Sequence, residues 1–205
     1  MKSKRRWLHE RRNDPYFLLS KKEGYRSRAS FKLKQIIDEY KIVRLGDKVL
    51  DIGCAPGGWL QVASQYVGDS GLVVGVDIKP VEDLGLENVK TIVMDVFDGN
   101  FTESVLRLSG DKFNVVLSDL SPNMSGIYEI DHGRQIEMVE RVISLLKDIL
   151  KKGGCLVVKV FEGKYARKVD KKIFKMFKSV KRFKPMASRK GSSEYYLVAK
   201  YFKGF

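Results

Sequence analysis

Charged side chains stand at the ends of several short apolar runs in this sequence. Asp77, Asp95 and Asp119 each follow such a run, and Lys159 lies near the end of another. A carboxylate at the end of a strand can accept hydrogen bonds from both hydroxyls of a ribose, or alternatively it caps the next helix. A lysine in an apolar run needs a partner because burying an unpaired ammonium is costly. Its alternative role is to reach the surface and form an ion pair there.

A glycine-rich segment, residues 51–59 (DIGCAPGGW), precedes these aspartates. Gly53, Gly57 and Gly58 would let the backbone approach a ligand closely and turn sharply into a helix. The spacing is not GxGxxG, and the Gly-Lys-Ser/Thr of a phosphate-binding loop is missing, which disfavours a nucleoside triphosphate. Taken by itself, the segment could instead serve only to reverse the direction of the chain between a strand and a helix.

The glycine segment and the aspartates together suit a nucleoside that has a cationic tail. Asp77 follows the segment by about 20 residues, the spacing at which a carboxylate binds ribose hydroxyls. Asp95 would face the amino group of adenine in such a ligand, and the glycine segment would lie next to the amino-acid group at its other end. S-adenosylmethionine has this shape, and we expect it to be the cofactor.

The elements that must position these side chains alternate along the chain, which predicts an α/β fold. Strands are predicted at residues 48–52, 72–77, 89–94, 113–118, 155–160, 180–184 and 195–201. Helices are predicted at residues 28–40, 59–66, 102–108, 134–150 and 166–177, with a helical turn near 16–22. Ser27 is the expected N-cap of the first full helix, and Gly153 with Gly154 the stop of the fourth.

The arrangement of the strands follows from the lengths of their connections. The link between the last two strands is too short for a crossover helix, so this pair is predicted to be an antiparallel hairpin. The other strands are apolar throughout, as in parallel sheets that are covered on both faces. We therefore expect a mostly parallel seven-stranded sheet with an antiparallel edge hairpin and helices on both faces.

The positive charge of the 205-residue chain, +14 in total, is concentrated in two segments. Residues 1–34 contain 12 Lys and Arg against 3 acidic residues, and residues 164–190 contain 12 against 1. This segregation is typical of a protein that binds a polyanion such as RNA; lysines that only improve solubility are the alternative. We expect a single domain over residues 1–205 with a basic N-terminal arm over about residues 1–26.

The remaining composition argues against several classes of protein. Cys54 and Cys155 form no CxxC motif, and with only two histidines a metal site is not expected. No apolar run reaches about 18 residues, so no membrane segment is predicted. The charged N-terminus lacks the apolar region of a secretory signal. These features lead us to expect a cytoplasmic protein.

Several motifs, in order along the chain, carry a resemblance to a known family. They are RSRA (residues 26–29), FKL (31–33), DIG (51–53), APGGW (55–59), DLSPNMSG (119–126), VKVF (158–161), SR (188–189) and SE (193–194). On these motifs the chain resembles the FtsJ/RrmJ (RlmE) family of RNA ribose 2′-O-methyltransferases over almost its whole length. The resemblance implies the Rossmann-like class I methyltransferase fold and S-adenosylmethionine as cofactor.

The resemblance also implies the residues of an active site. A catalytic tetrad would comprise Lys32, Asp119, Lys159 and Glu194. The cofactor contacts that it implies are Gly57, Trp59, Asp77, Asp95 and Asp119, to which the glycine segment adds Gly53 and Gly58. A ribose 2′-hydroxyl must lose a proton as it attacks a methyl group, so Lys159 would act as the base or would orient the hydroxyl. Asp119 would align Lys159, and Lys32 and Glu194 would complete the pocket.

The family precedent points to RNA of the large ribosomal subunit as the partner, with a uridine of the peptidyl-transferase-centre A-loop as the target. A ribose in a transfer RNA anticodon loop is the alternative within the same chemistry. A non-catalytic, RNA-binding ribosome-assembly factor on a methyltransferase fold is the alternative from another class. The sequence does not determine the oligomeric state, for which a monomer is the default expectation.

Four further residues bear on RNA binding. Trp7 or Tyr25 would stack on a base, although Trp7 could equally pack the arm onto the body. Lys164 is a rival to Lys159, but it begins a basic segment and is expected to contact RNA. Residues 131–134 (DHGR) differ from the Ile-Pro-Arg type of segment in bacterial members. We expect His132 to lie at the surface, just before a helix, and a position that faces the substrate is the alternative.

Overall fold

Seven strands form one mixed sheet in the computed structural model, which describes residues 14–189 and 191–204. The strands are β1 (Lys48–Ile52), β2 (Leu72–Asp77), β3 (Val89–Val93), β4 (Phe113–Ser118), β5 (Leu150–Phe161), β6 (Phe177–Phe183) and β7 (Glu194–Phe202). Their order across the sheet is β3-β2-β1-β4-β5-β7-β6. β1 to β5 run parallel, and β7 is antiparallel to both β5 and β6. The predicted fold class is confirmed.

Helices cover both faces of the sheet because the strand side chains alternate between two apolar clusters. The helices are α1 (Pro15–Lys22), α2 (Ser30–Tyr40), α3 (Gly58–Val67), α4 (Phe101–Ser109), α5 (Tyr128–Ile149) and α6 (Ala166–Met176). One cluster joins the sheet to α2 and α3, and the other joins it to α4, α5 and α6. Within the described ranges, no helix combines the length and the apolar character that a membrane-crossing segment needs.

The part of the basic N-terminal segment that the structure describes packs on the body of the protein. Asp14 caps α1 by accepting hydrogen bonds from the backbone N–H groups of Tyr16 and Phe17, which confirms the predicted helical turn. Tyr25 is buried, and its hydroxyl donates to Gln65. The prediction that Tyr25 stacks on a base is therefore wrong. The remaining arm, from Lys2 to Arg12 with Trp7, lies outside the described residues.

Helix boundaries depart from the predictions at two places. Ser27 is not the N-cap of α2, which starts at Ser30 after Ala29 and has no side-chain cap. The long helix α5 begins six residues earlier than expected and ends at Ile149, so Gly153 and Gly154 lie inside β5 instead of stopping the helix. The glycines accommodate an irregularity in the pairing of β4 with β5, and Gly153 has a φ of +83°. At the edge of the sheet opposite β3, strand β6 begins at Phe177, the residue at which the last helix was predicted to end.

Candidate functional site

A cavity of about 300 Å³ opens at the carboxyl ends of β1, β2, β3 and β4. In an open α/β sheet, this edge is where ligands bind. Gly53, Asp77, Asp95 and Asp119 all line the cavity. The strands therefore bring together four of the residues that were predicted to bind a cofactor.

Two contacts determine the shape of this cavity near the glycine segment. Gly53 has a φ of +87°, and a Cβ atom there would lie 2.9 Å from Leu120 Cδ2 and 3.2 Å from Leu120 N. Only glycine permits this close approach of the segment to the loop that follows β4. Asp77 holds the segment from the other side, because its Oδ2 accepts a hydrogen bond from Ala55 N–H at 2.9 Å. Its Oδ1 accepts from Lys79 N–H at 2.9 Å.

Gly57, Gly58 and Trp59 lie beside the cavity and do not line it. A Cβ atom on Gly58 would come within 2.6 Å of Ser30 Oγ, so this glycine allows α3 to approach α2 closely. Trp59 is buried, and its indole N–H donates to Ala29 O at 2.8 Å. The contacts of these two residues attach the glycine segment to the helix that carries Lys32.

The four predicted tetrad residues come together next to the cavity, which Asp119 alone of the four lines. Lys159 is only 5% exposed, and its Nζ lies 3.1 Å from Asp119 Oδ1. The same ammonium donates to the backbone oxygen of Asp119 at 2.8 Å and to Ser121 Oγ at 3.0 Å. Lys32 forms an ion pair with Glu194. The tetrad thus consists of two ion pairs that come from distant parts of the chain.

Tyr196 joins the two ion pairs into one network, and the sequence analysis did not identify it. Its hydroxyl donates to Asp119 Oδ1 at 2.7 Å and accepts from Lys32 Nζ at 3.4 Å. Tyr196 follows Glu194 by two residues in β7, so both side chains project from the same face of the strand. That period of two was the signal in the sequence from which Tyr196 could have been found.

The charges of this network follow from its contacts. Burial tends to raise the pKa of Asp119, but the positive charges of Lys159 and Lys32 and the hydrogen bonds it accepts outweigh burial and lower that pKa. Burial, together with the negative charges of Asp119 and Glu194, raises the pKa of Tyr196 well above its ordinary value. Asp119 is therefore a carboxylate, and Tyr196 is a neutral phenol that donates to it.

Asp51, in the middle of the sheet, is fully buried, and neither of its carboxyl oxygens has a hydrogen-bond partner among the described residues. Burial, and next the negative charges of Asp119 and Asp77, raise the pKa of Asp51 well above its ordinary value. The folded protein therefore binds this proton more tightly than the unfolded chain does. The resulting stabilisation is complete below about pH 4, the range of an unfolded Asp. It is lost as the pH rises through the higher pKa of the folded state.

Replacement of Asp51 by asparagine is expected to remove this pH dependence. At about pH 8, the free energy of unfolding of Asp51→Asn should exceed that of the natural protein by about 1–3 kcal/mol, because no buried charge is left unpaired. Thermal unfolding between about pH 5 and pH 8 measures the effect, with the exposed Asp69→Asn as the control. Parallel curves of melting temperature against pH for Asp51→Asn and the natural protein would contradict this account.

The first turns of α5 hold the loops around the site. Asp131 accepts hydrogen bonds from the backbone N–H groups of Ser125 and Gly126, at 2.7 and 3.1 Å. His132 is 3% exposed and accepts from Tyr165 N–H at 3.2 Å, so the prediction of a surface histidine is wrong. Asp131 and His132 instead point inward and bond to neighbouring loops, whereas Arg134 is exposed. Lys164 is exposed.

The amino-acid sequence matches a known family over most of its length. The matching family is FtsJ-like methyltransferase, over residues 25–202. A relative from Methanothermobacter thermautotrophicus, named ribosomal RNA large subunit methyltransferase E, is 43% identical over 200 residues, which cover 98% of this chain and 95% of the relative. A relative of the same name from Methanocaldococcus jannaschii is 42% identical, over 98% of this chain and 83% of the relative.

Solved structures show the same fold. A ribosomal RNA methyltransferase from Plasmodium falciparum superposes with a TM-score of 0.78 at 26% identity, covering 88% of this chain and 100% of that one. Fibrillarin from Aeropyrum pernix, which was crystallised with natively bound S-adenosyl-L-methionine, gives 0.56 at 16% identity, over 83% and 73% of the two chains, a likeness of fold alone. The resemblance expected from the motifs is confirmed, and the chain belongs to the FtsJ-like methyltransferase family.

Proposed function

We propose that this chain transfers a methyl group from S-adenosylmethionine to the 2′-hydroxyl of a ribose in large-subunit ribosomal RNA. The observation that carries the proposal is the buried contact of Lys159 with Asp119 and Ser121, at the rim of the cavity that Asp77 and Asp95 line. The names of the two archaeal relatives support ribosomal RNA as the substrate. The target that we propose within it is a uridine of the A-loop.

The residues of the cavity fit this cofactor by their chemistry. Asp77 offers carboxylate oxygens to a ribose diol, and Asp95 can accept from an amino group of adenine. Gly53 lines the cavity, so the backbone at the end of β1 borders the space that a ligand would occupy. When bound, S-adenosylmethionine supplies an electrophilic methyl carbon on a sulfonium, which suits a site whose carboxylates make it negative.

We assign to Lys159 the role of orienting the 2′-hydroxyl. Its ammonium hydrogens already have three acceptors within 3.1 Å, so a 2′-oxygen reaches Nζ by replacing one of them. Ser121 Oγ is the acceptor that is least costly to replace because it is uncharged and, unlike the main-chain oxygen of Asp119, belongs to an exposed side chain that can turn to water. Nζ then donates to the 2′-oxygen and directs its lone pair toward the methyl carbon, and the hydroxyl proton passes to water at the mouth of the site. Most of the rate would come from this positioning.

Cationic side chains surround the open side of the tetrad. A second cavity there is lined by Arg28, Lys32 and Arg189, with Ser192 and Glu194. Burial lowers the pKa of Arg28, and the positive charge of Arg189 lowers it further, although Asp14 opposes this. Arg28 already pairs with Asp14 and donates to Ala187 O, so a phosphate here would gain from the positive charge of Arg28 and from hydrogen bonds with the exposed Arg189. We propose that phosphates next to the target ribose bind in this cavity.

The exposed face of α6 is a second positive surface, on the other face of the sheet from α2. The helix begins soon after the end of β5, and Val169 and Ile173 anchor it in the core. Its outward side chains include Arg167, Lys168, Lys171, Lys172 and Lys175. Such a face binds RNA through its phosphates without reading the base sequence, and the affinity falls steeply as salt is added.

Mapping of the methylated nucleotide tests the proposed function. The protein is incubated with radiolabelled S-adenosylmethionine and either large ribosomal subunits or transfer RNA, and the labelled position is located by mass spectrometry. We expect the label on one ribose of large-subunit RNA, at a uridine of the A-loop. Label in transfer RNA alone would favour the anticodon-loop alternative. RNA binding without any label would favour the non-catalytic assembly factor.

A further inference from the structure

The strand that carries Lys159 loses its neighbour on one side where the active site begins. β5 pairs with β4 only as far as Val158, whereas its pairing with β7 continues to Phe161. Glu162 N–H donates toward the β7 side, to Ser193 O at 2.8 Å. Because main-chain groups alternate in direction along a strand, the C=O of Lys159 and the N–H of Phe161 face the other side, where β4 has ended. Buried main-chain groups without partners are costly.

The side chain of Gln135 supplies the missing partner. Its Nε2 donates to Lys159 O at 2.6 Å, and its Oε1 accepts from Phe161 N–H at 3.2 Å. A glutamine side chain ends in an amide that carries both a donor and an acceptor, as a peptide group does. The amide of Gln135 therefore bonds to β5 in the place that the next residues of β4 would occupy. It is 0% exposed, so water does not compete for these two hydrogen bonds.

The same helix face also holds the loop that carries Asp119 and Ser121. Asp131 lies one turn before Gln135 in α5, on the same side of the helix. Its carboxylate accepts two backbone hydrogen bonds and one from the hydroxyl of Ser125, all at the end of the loop that starts with Asp119. One rigid helix therefore bonds both to the strand of Lys159 and to the loop of its partners.

We propose that Gln135 is a positioning residue for catalysis: its side-chain amide replaces a strand neighbour and keeps Lys159 Nζ in register with Asp119 and Ser121. The proposal rests on the proposed role of Lys159. Gln135 does not line the cavity and bonds to main-chain groups of β5 only, so it acts through the main chain of that strand. A displacement of a catalytic group by about 1 Å is enough to lower a rate by about a hundredfold.

Gln135→Met tests the proposal because methionine has nearly the same volume and forms neither hydrogen bond. With large ribosomal subunits as substrate, we expect kcat to fall about 10–100-fold, while the KM for RNA and the Kd for S-adenosylmethionine change by less than about threefold. The matched control is Val139→Ala, one turn further along α5, which is buried and leaves a cavity in the core. It should lower the melting temperature while leaving kcat within about threefold.

Amide hydrogen exchange gives a second measurement that does not depend on activity. In Gln135→Met the N–H of Phe161 should exchange at least about tenfold faster, whereas Val139→Ala should leave its relative protection unchanged. If Gln135→Met does not fold, Gln135→Asn replaces it in the kinetic test with the same expected loss of kcat, because its amide is one methylene too short to bond both Lys159 O and Phe161 N–H.

The outcomes separate this proposal from the proposed function. The proposed function would be contradicted if the natural protein showed no transfer activity, or if Lys159→Met kept full activity. In either case, hydrogen exchange would still decide whether Gln135 holds the strand. An active natural protein, an inactive Lys159→Met and a Gln135 variant with unchanged kcat would overturn the positioning role alone. An equal loss of kcat in Val139→Ala would overturn it as well, because the effect would then be general destabilisation.

Discussion

Replacement of Lys159 by methionine is expected to abolish methyl transfer while leaving the affinity for S-adenosylmethionine nearly unchanged. Methionine approximates the length of the lysine stem but cannot donate to a 2′-oxygen, and loss of such a group lowers a rate by roughly 10²–10⁴-fold. The residues proposed to bind the cofactor, Asp77 and Asp95, have no contact with the ammonium in the structure. Single-turnover transfer to large ribosomal subunits and calorimetric titration with the cofactor measure the two effects.

Lys164→Met is the matched control for this experiment. Lys164 is five residues further along the chain, exposed and outside the network of ion pairs. Its loss should weaken RNA binding slightly and leave kcat intact. Retained turnover in Lys159→Met, or an equal loss in Lys164→Met, would refute the assignment.

The pH dependence of the natural protein distinguishes the two roles that the sequence left open for Lys159. As a charged group that orients the hydroxyl, it should sustain kcat as the pH falls from about 8 to 6. A kcat that fell about tenfold for each pH unit would instead favour general-base catalysis and count against the orienting role.

Replacement of Asp77 by alanine is expected to weaken the binding of S-adenosylmethionine by about 10–100-fold, the usual effect of losing hydrogen bonds to a charged group. Two causes add. The ribose would lose its carboxylate, and the glycine segment would lose the contact between Asp77 Oδ2 and Ala55 N–H. Calorimetric titration with the cofactor measures the change. Binding of RNA without the cofactor should be unaffected, since Asp77 lies away from the cavity that Arg28 and Arg189 line.

Asp83→Ala provides the control for Asp77. Asp83 lies in the loop after β2, where its side chain accepts only from Gly85 N–H among the described contacts and does not line the cofactor cavity. Its replacement should leave cofactor affinity within about threefold. Equal affinities for Asp77→Ala and the natural protein would show that the cofactor does not use this carboxylate.

Most of the fold could be predicted because its strands are short, apolar and separated by helical patterns. All seven strands lie where the pattern placed them or within a few residues, except that β5 and β6 start earlier. The error in residues 128–133 has a physical cause. Local propensity decides where a helix can start, but side-chain contacts decide where it does start: Asp131 bonds to the preceding loop, and His132 bonds to Tyr165, which is distant in sequence.

The site was predicted in part. The motifs identified Lys32, Asp119, Lys159 and Glu194, and the structure brings all four together. Tyr196 and Gln135 were missed because an aromatic residue in a strand and a glutamine in an amphipathic helix are ordinary in sequence. Gln135 is recognisable only once its partner Lys159, 24 positions away, is in place. Tyr196 had a signal in its spacing of two residues from Glu194, but its role became visible only beside Asp119.

By itself, the sequence determined the fold class, the family and the residue types available for chemistry, because apolar periodicity and short motifs are local properties. The tertiary structure alone decided which carboxylates face a cavity and how the two ion pairs share Tyr196. It also decided that a side chain of α5 completes the strand of Lys159. These features depend on distances between segments far apart in the chain, which only the packing of the sheet and its helices determines.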